Sequence, residues 1–128
     1  MGVRVFKNAW FERFARKQKI IDDALIEAVR RAERGQIDAD LGGGVIKQRV
    51  ARTGQGKSGG YRTIILYRRE QRAFFVFGFA KSEQANLDDV EEGQFKKMAK
   101  EILALSDDQI AELIEKGRFS EVENGEEV

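Results

Sequence analysis

The chain has 128 residues, with 23 Lys and Arg against 22 Asp and Glu and a net charge of +1. That length suits one domain built on a single hydrophobic core. Cysteine, histidine and proline are all absent, which excludes disulfides, thiolate or imidazole metal sites, a cysteine nucleophile and the usual general base near neutral pH.

The small net charge hides a strong polarity. Residues 1–81 hold 18 Lys and Arg against 8 Asp and Glu, a net of +10, whereas residues 82–128 hold 5 against 14, a net of −9. A basic half that also carries aromatics suggests a polyanion partner. The plainer alternative is a solvated charged surface with an acidic tail. No apolar run approaches the length of a membrane span, and the N-terminus lacks the hydrophobic segment of a signal peptide, so a cytoplasmic protein is expected, with no membrane partner.

Val3 to Lys7 alternates and predicts an opening strand. Trp10, Phe11, Phe14 and Ala15 follow at helical spacing, giving a helix over 8–17 with Asn8 as its N-cap. Trp10 and Phe14 read as core packing in preference to base stacking. A second helix begins near Asp22 or Asp23, with Leu25, Ala28, Val29 and Ala32 as its apolar stripe and Gly35 as its stop. The short break over 19–21 makes the two a helical hairpin. Residues 36–41 read as a connection, and Gly42, Gly43 and Gly44 let the chain enter the sheet sharply.

Residues 45–52 predict a strand with Val45, Lys47 and Arg49 on one face and Ile46, Gln48 and Val50 on the other. Residues 53–60 read as a mobile hairpin loop with Lys57 at its tip, 61–68 as a strand and 69–72 as a charged turn. Residues 73–81 form the most apolar strand, expected to be central and buried on both faces. Phe75, Phe77, Phe79 and Lys81 are expected to share one of its faces. Asp88 or Asp89 caps a helix to about Leu105, with Phe95, Met98, Ala99, Ile102 and Leu103 as its buried stripe. Ser106 and Gln109 form a capping box for a last helix that ends at Gly117. Phe119 to Val122 reads as a final short strand, and 124–128 as a frayed end.

From Val45 to Lys81 there are nine Lys and Arg against one acid, Glu70. Within this block Gly56-Lys57-Ser58 imitates the end of a phosphate-binding loop. The pattern's first glycine would fall at Ala51, and a strand follows where that motif must open a helix, so nucleotide hydrolysis is disfavoured. The pairs Asp38/Asp40 and Asp88/Asp89 lack a third ligand at suitable spacing and read as capping and solvation. No metal or cofactor site is expected. Lys47 and Arg49 project from one sheet face, and Arg62 can be brought beside them if the two strands pair, with Lys81 on the neighbouring strand. On geometry alone the four cations read equally as a polyanion site or as solvated charge.

The stretches Gly43-Gly44-Val45-Ile46-Lys47 through Arg49, Lys57-Ser58-Gly59-Gly60-Tyr61-Arg62-Thr63 and Phe77-Gly78-Phe79-Ala80-Lys81 resemble the RelE/ParE superfamily of bacterial type II toxins, in particular the RelE-like group related to HigB. The resemblance covers residues 3 to about 117. It implies a small α+β domain over 1–117; by composition, residues 118–128 read as an acidic C-terminal tail. The domain would have an N-terminal strand and helical hairpin, a mainly antiparallel sheet and C-terminal helices. It further implies a ribosome-dependent mRNA endonuclease that arrests translation without metal, silenced by a cognate antitoxin of helix-turn-helix type.

Carried onto this sequence, the catalytic residues would be Lys47, Arg49, Arg62 and Lys81, with Arg52, Lys57 and Tyr61 as RNA contacts. Tyr61 either stacks on a base or packs. Without histidine a lysine becomes the candidate base, since clustered cations favour the neutral amine. Some RelE toxins carry a functional tyrosine shortly after the last strand, and residues 82–89 contain none. The alternatives are a ParE-like poison of DNA gyrase that cleaves no RNA, and a non-toxic RNA-binding module.

Overall fold

The computed structural model describes residues 2–52, 56–80 and 87–122. The chain opens with strand β1 (Arg4–Asn8) and the helical hairpin α1 (Ala9–Gln18) and α2 (Asp22–Glu33). Four strands follow: β2 (Ala39–Gly42), β3 (Val45–Arg52), β4 (Gly56–Arg68) and β5 (Arg72–Ala80). Helices α3 (Asp89–Ile102) and α4 (Asp107–Glu115) then lead to β6 (Phe119–Glu121). The six strands form one sheet in the order β2-β3-β4-β5-β1-β6. β1 and β5 are parallel, and all other neighbours are antiparallel. This is the expected α+β architecture. Among the described residues no helix is long and apolar enough to cross a membrane.

Local chemistry fixes the helix starts. Asn8 accepts a hydrogen bond from Phe11 N at 2.8 Å, which turns the end of β1 directly into α1. Asp88 with Glu91, and Ser106 with Gln109, close reciprocal capping boxes. α2 has no side-chain cap; Asp22 and Asp23 in its first turn face the positive end of its dipole instead.

The sheet separates two cores. On one face α1 and α2 bury Phe11, Ala15, Leu25 and Val29 against Val5, Ile46, Val50, Ile65 and Phe75. On the other, α3 and α4 contribute Ala99, Leu103 and Ile110 to a cluster with Phe6, Val45, Ile64, Leu66, Phe74 and Val76. β5 lies between β4 and β1, as its apolar sequence predicts.

Four expectations need correction. Residues 39–42 form a strand where a connection was expected. It is short and half exposed, and its partner β3 rather than its own sequence makes it extended. Gly42, Gly43 and Gly44, all at positive φ, make the turn that joins the two. β4 begins at Gly56 rather than Tyr61, because pairing with β3 continues to Arg52 opposite Gly56; residues 53–55 lie outside the described residues. Phe75 does not share a face with Phe77 and Phe79. Consecutive Ile64 and Ile65 oppose Phe77 and Phe75, so Val76 is an extra residue in a bulge that turns Phe75 into the α1/α2 core. Finally, Trp10 is not core. It is 38% exposed, stacked on Phe14 and tilted against Phe77. The expected frayed end falls on residues outside those described.

Candidate functional site

In the β3–β4 register Arg49 lies directly opposite Arg62, and Lys47 lies opposite Ile64. Residues that face each other across an antiparallel pair share a face, so Lys47, Arg49 and Arg62 project together on the α3/α4 side. Near the β2–β3 turn that side is apolar, with Val45, Ile64 and Leu66 packed with Ala99 and Leu103. Further along, Lys47, Arg49 and Arg62 are half-buried.

Like charges directly opposite one another repel. A carboxylate offsets the repulsion on the Arg49 side. Asp38 Oδ2 accepts from Arg49 N at 2.7 Å, and Asp38 Oδ1 accepts from Arg49 Nη2 at 3.4 Å. The buried Arg31 donates Nη2 to the Arg49 carbonyl and Nε to Glu27 Oε2 at 2.8 Å, and its Nη1 lies 3.7 Å from Asp38. Both backbone polar groups of Arg49 are therefore held by side chains. β2 pairs with β3 only as far as Lys47, so Asp38 and Arg31 take the place of a strand beyond it. Among the described residues Arg62 has no carboxylate partner.

Gln48, fully buried, ties this arrangement to α2. Its Oε1 accepts from Asp38 N at 2.8 Å, and its Nε2 donates to Ala28 O and Gln36 O, each at 3.0 Å. Partial burial pushes the Asp38 carboxyl up. Hydrogen bonds from the Arg49 backbone and guanidinium, with the charges of Arg49 and Arg31, outweigh that and hold it below its ordinary value.

A family model described as the RelE toxin of the RelE/RelB toxin-antitoxin system matches residues 3–122. The chain belongs to the RelE toxin family. It is thus a toxin of a toxin-antitoxin system, with an antitoxin as partner. Compared with individual curated proteins, it matches none.

Of the residues predicted for a RelE-type site, the fold brings Lys47, Arg49 and Arg62 together. Lys81 and the side chains of Arg52 and Lys57 lie outside the described residues. Tyr61 is excluded from stacking on RNA. It is 2% exposed, meets Phe14 edge-on, and its hydroxyl donates to Gln18 Oε1 at 2.9 Å. Of the two roles open to it, Tyr61 takes the packing one, since alternation turns it into the α1/α2 core.

The carboxylate pairs do structural work in this RelE toxin. Asp40 accepts from Gly42 N in the turn at 2.9 Å, and Asp88 caps α3. No cluster of three metal-ligating side chains occurs among the described residues.

Asp38, Arg31 and Gln48 were not among the predicted site residues. One signal was present: Gln48 is a polar residue between Ile46 and Val50 on the apolar face of β3, and a buried polar group requires partners. Asp38 and Arg31 carried no such mark, since their roles arise from contacts between elements distant in sequence.

Proposed function

We propose that this RelE-family toxin is an endoribonuclease that cuts mRNA on the ribosome and so arrests translation. One observation carries the reading: Arg49 and Arg62 face each other across β3 and β4, with Lys47 on the same face. Of this pair Asp38 offsets the charge of Arg49 alone, so the pairing still gains from an anion beside Arg62, and a phosphodiester fits a bidentate, planar donor.

Cleavage requires the 2′-hydroxyl to lose a proton, attack the adjacent phosphorus in line, and expel the 5′-oxygen. Negative charge grows on the non-bridging oxygens, where Arg49 and Arg62 would stabilise it. Lys47, two residues from Arg49, is the base in this scheme, and Lys81 contacts the phosphate or protonates the leaving oxygen. The products are a 2′,3′-cyclic phosphate and a 5′-hydroxyl. Ribosome-bound mRNA supplies much of the alignment, so the isolated protein is a poor nuclease. The antitoxin, of helix-turn-helix type, would silence the site by laying an acidic or amphipathic segment over the basic sheet.

The test is induced expression with mapping of mRNA ends. Wild type should halt translation and leave cuts in translated frames, and Arg62→Ala should abolish both while its unfolding curve stays within about 0.5 kcal/mol of wild type. Full growth arrest by a folded Arg62→Ala protein would overturn the site. Arrest with intact mRNA and a DNA-damage response would favour gyrase as the target.

A further inference from the structure

β1 pairs with β5 only from Arg72 to Phe75. Its chain then turns at Asn8 into α1, and Asn8 Nδ2 reaches Val76 O at 3.3 Å as the last link between them. Among the described residues no strand pairs with this edge of β5 beyond that point. α1 runs alongside and leaves a cleft of about 430 Å³. Gly78 lets the helix approach: a Cβ there would stand 2.7 Å from Phe14 Cε2 and 3.2 Å from Phe11 Cε1.

The lining has two chemistries. Trp10 and Phe14 stack with ring centroids 5.2 Å apart and planes 15° apart, and Trp10 lies 4.7 Å from Phe77. Arg13 and Lys17, both exposed, stand one turn apart on the helical wall. Phe79, which lines the cleft, is the cross-strand partner of Arg62 on the cationic face. One strand spacing, roughly 5 Å, separates them.

We propose that this cleft is a nucleobase subsite: a base of the RNA strand packs on the exposed part of Trp10 beside Phe77 while Arg13 and Lys17 hold its flanking phosphate. Aromatic planes beside a basic groove are how single-stranded nucleic acid is bound without base pairing. Positive charge on the rim and the nearness of Arg62 favour RNA over a peptide strand added to the β5 edge. The inference rests on the nuclease reading, since it supplies that site with a grip on the nucleotide beside the cut.

Trp10 is the chain's single tryptophan, so its fluorescence reports the cleft directly. The full-length protein is titrated with a single-stranded RNA hexamer and with an abasic hexamer of equal charge. The RNA should quench Trp10 saturably, the abasic chain should bind about ten-fold more weakly, and Arg13→Ala with Lys17→Ala should weaken the RNA by a similar factor. No quenching up to about 1 mM RNA, or equal quenching by the abasic chain, overturns the subsite. So does a Trp10 response confined to the antitoxin, which would make the cleft a protein interface. End mapping of mRNA separates the two readings. Cuts without a Trp10 response remove the subsite and keep the nuclease. A response to bases without cuts keeps the subsite and removes the nuclease.

Discussion

Replacing Gln48 with Leu preserves the side chain's volume closely and removes three hydrogen bonds at once. Ala28 O lies within α2, where the helical ladder still serves it. Asp38 N and Gln36 O lose the partners that Gln48 gives them at 2.8 Å and 3.0 Å. With about 1 kcal/mol for each of those two bonds and up to about 1 kcal/mol more for each group left unpartnered, the cost comes to roughly 2–4 kcal/mol. That is a large share of a domain stability of about 5–15 kcal/mol. At roughly 4 °C per kcal/mol, the melting midpoint should fall by about 8–16 °C. Urea denaturation followed by Trp10 fluorescence gives the free energy, and an unchanged m-value would confirm that only the native state was altered. The same variant should loosen Asp38 from Arg49 and reduce toxicity beyond what lost stability explains. A cost below about 0.5 kcal/mol would refute the reasoning, because the amide would then not be what anchors the 36–38 segment to β3.

Asp38→Asn should retain an acceptor for Arg49 N and lose the ion pair. Because the folded carboxyl is held below its unfolded value of about 3.9, the stability gap between wild type and variant should be full above pH 4. It should close as pH falls through the lower folded value; a gap unchanged down to pH 2 would contradict the role given to the charge. Gly60→Ala should fail to fold or lose at least about 3 kcal/mol, since its Cβ would stand 2.1 Å from Val50 O; circular dichroism and solubility decide this. Tyr67→Phe removes the hydroxyl that donates to Glu33 at the end of α2 and should cost about 1.5–3 kcal/mol in the same denaturation assay, with no effect on mRNA cutting.

Features governed by neighbours in sequence were legible. Asn8, Asp88 and Ser106 announced their helices because a cap needs only the next three residues. The faces of β3 followed from strict alternation. What failed depended on distant partners. β2 is extended because β3 lies beside it, and Lys57 to Gly60 form a strand despite two glycines because β3 extends that far. The bulge at Val76 moved Phe75 to the opposite core, an event no period-two pattern announces. In the candidate site the cations could be read, but their restraint could not: Asp38 looked like a loop carboxylate until the fold set it against Arg49. Trp10 erred for the same kind of reason. Its helical spacing marked an inward face, but β1 ends too soon for the sheet to cover it.

The placement of β1 has a consequence for how the toxin is made. This strand is the first part of the sheet to be synthesised, yet one of its edges waits for Arg72 to Phe75 and the other for Phe119 to Glu121. Arg4 likewise waits for Glu121, its ion-pair partner at 3.0 Å. Contacts between residues 117 positions apart in sequence form late. A growing chain therefore holds its opening strand in reserve, and the sheet that carries Arg49 and Arg62 is closed only once Phe119 to Glu121 have been made. Until those residues are made, the ribosome carries a toxin whose sheet is still open.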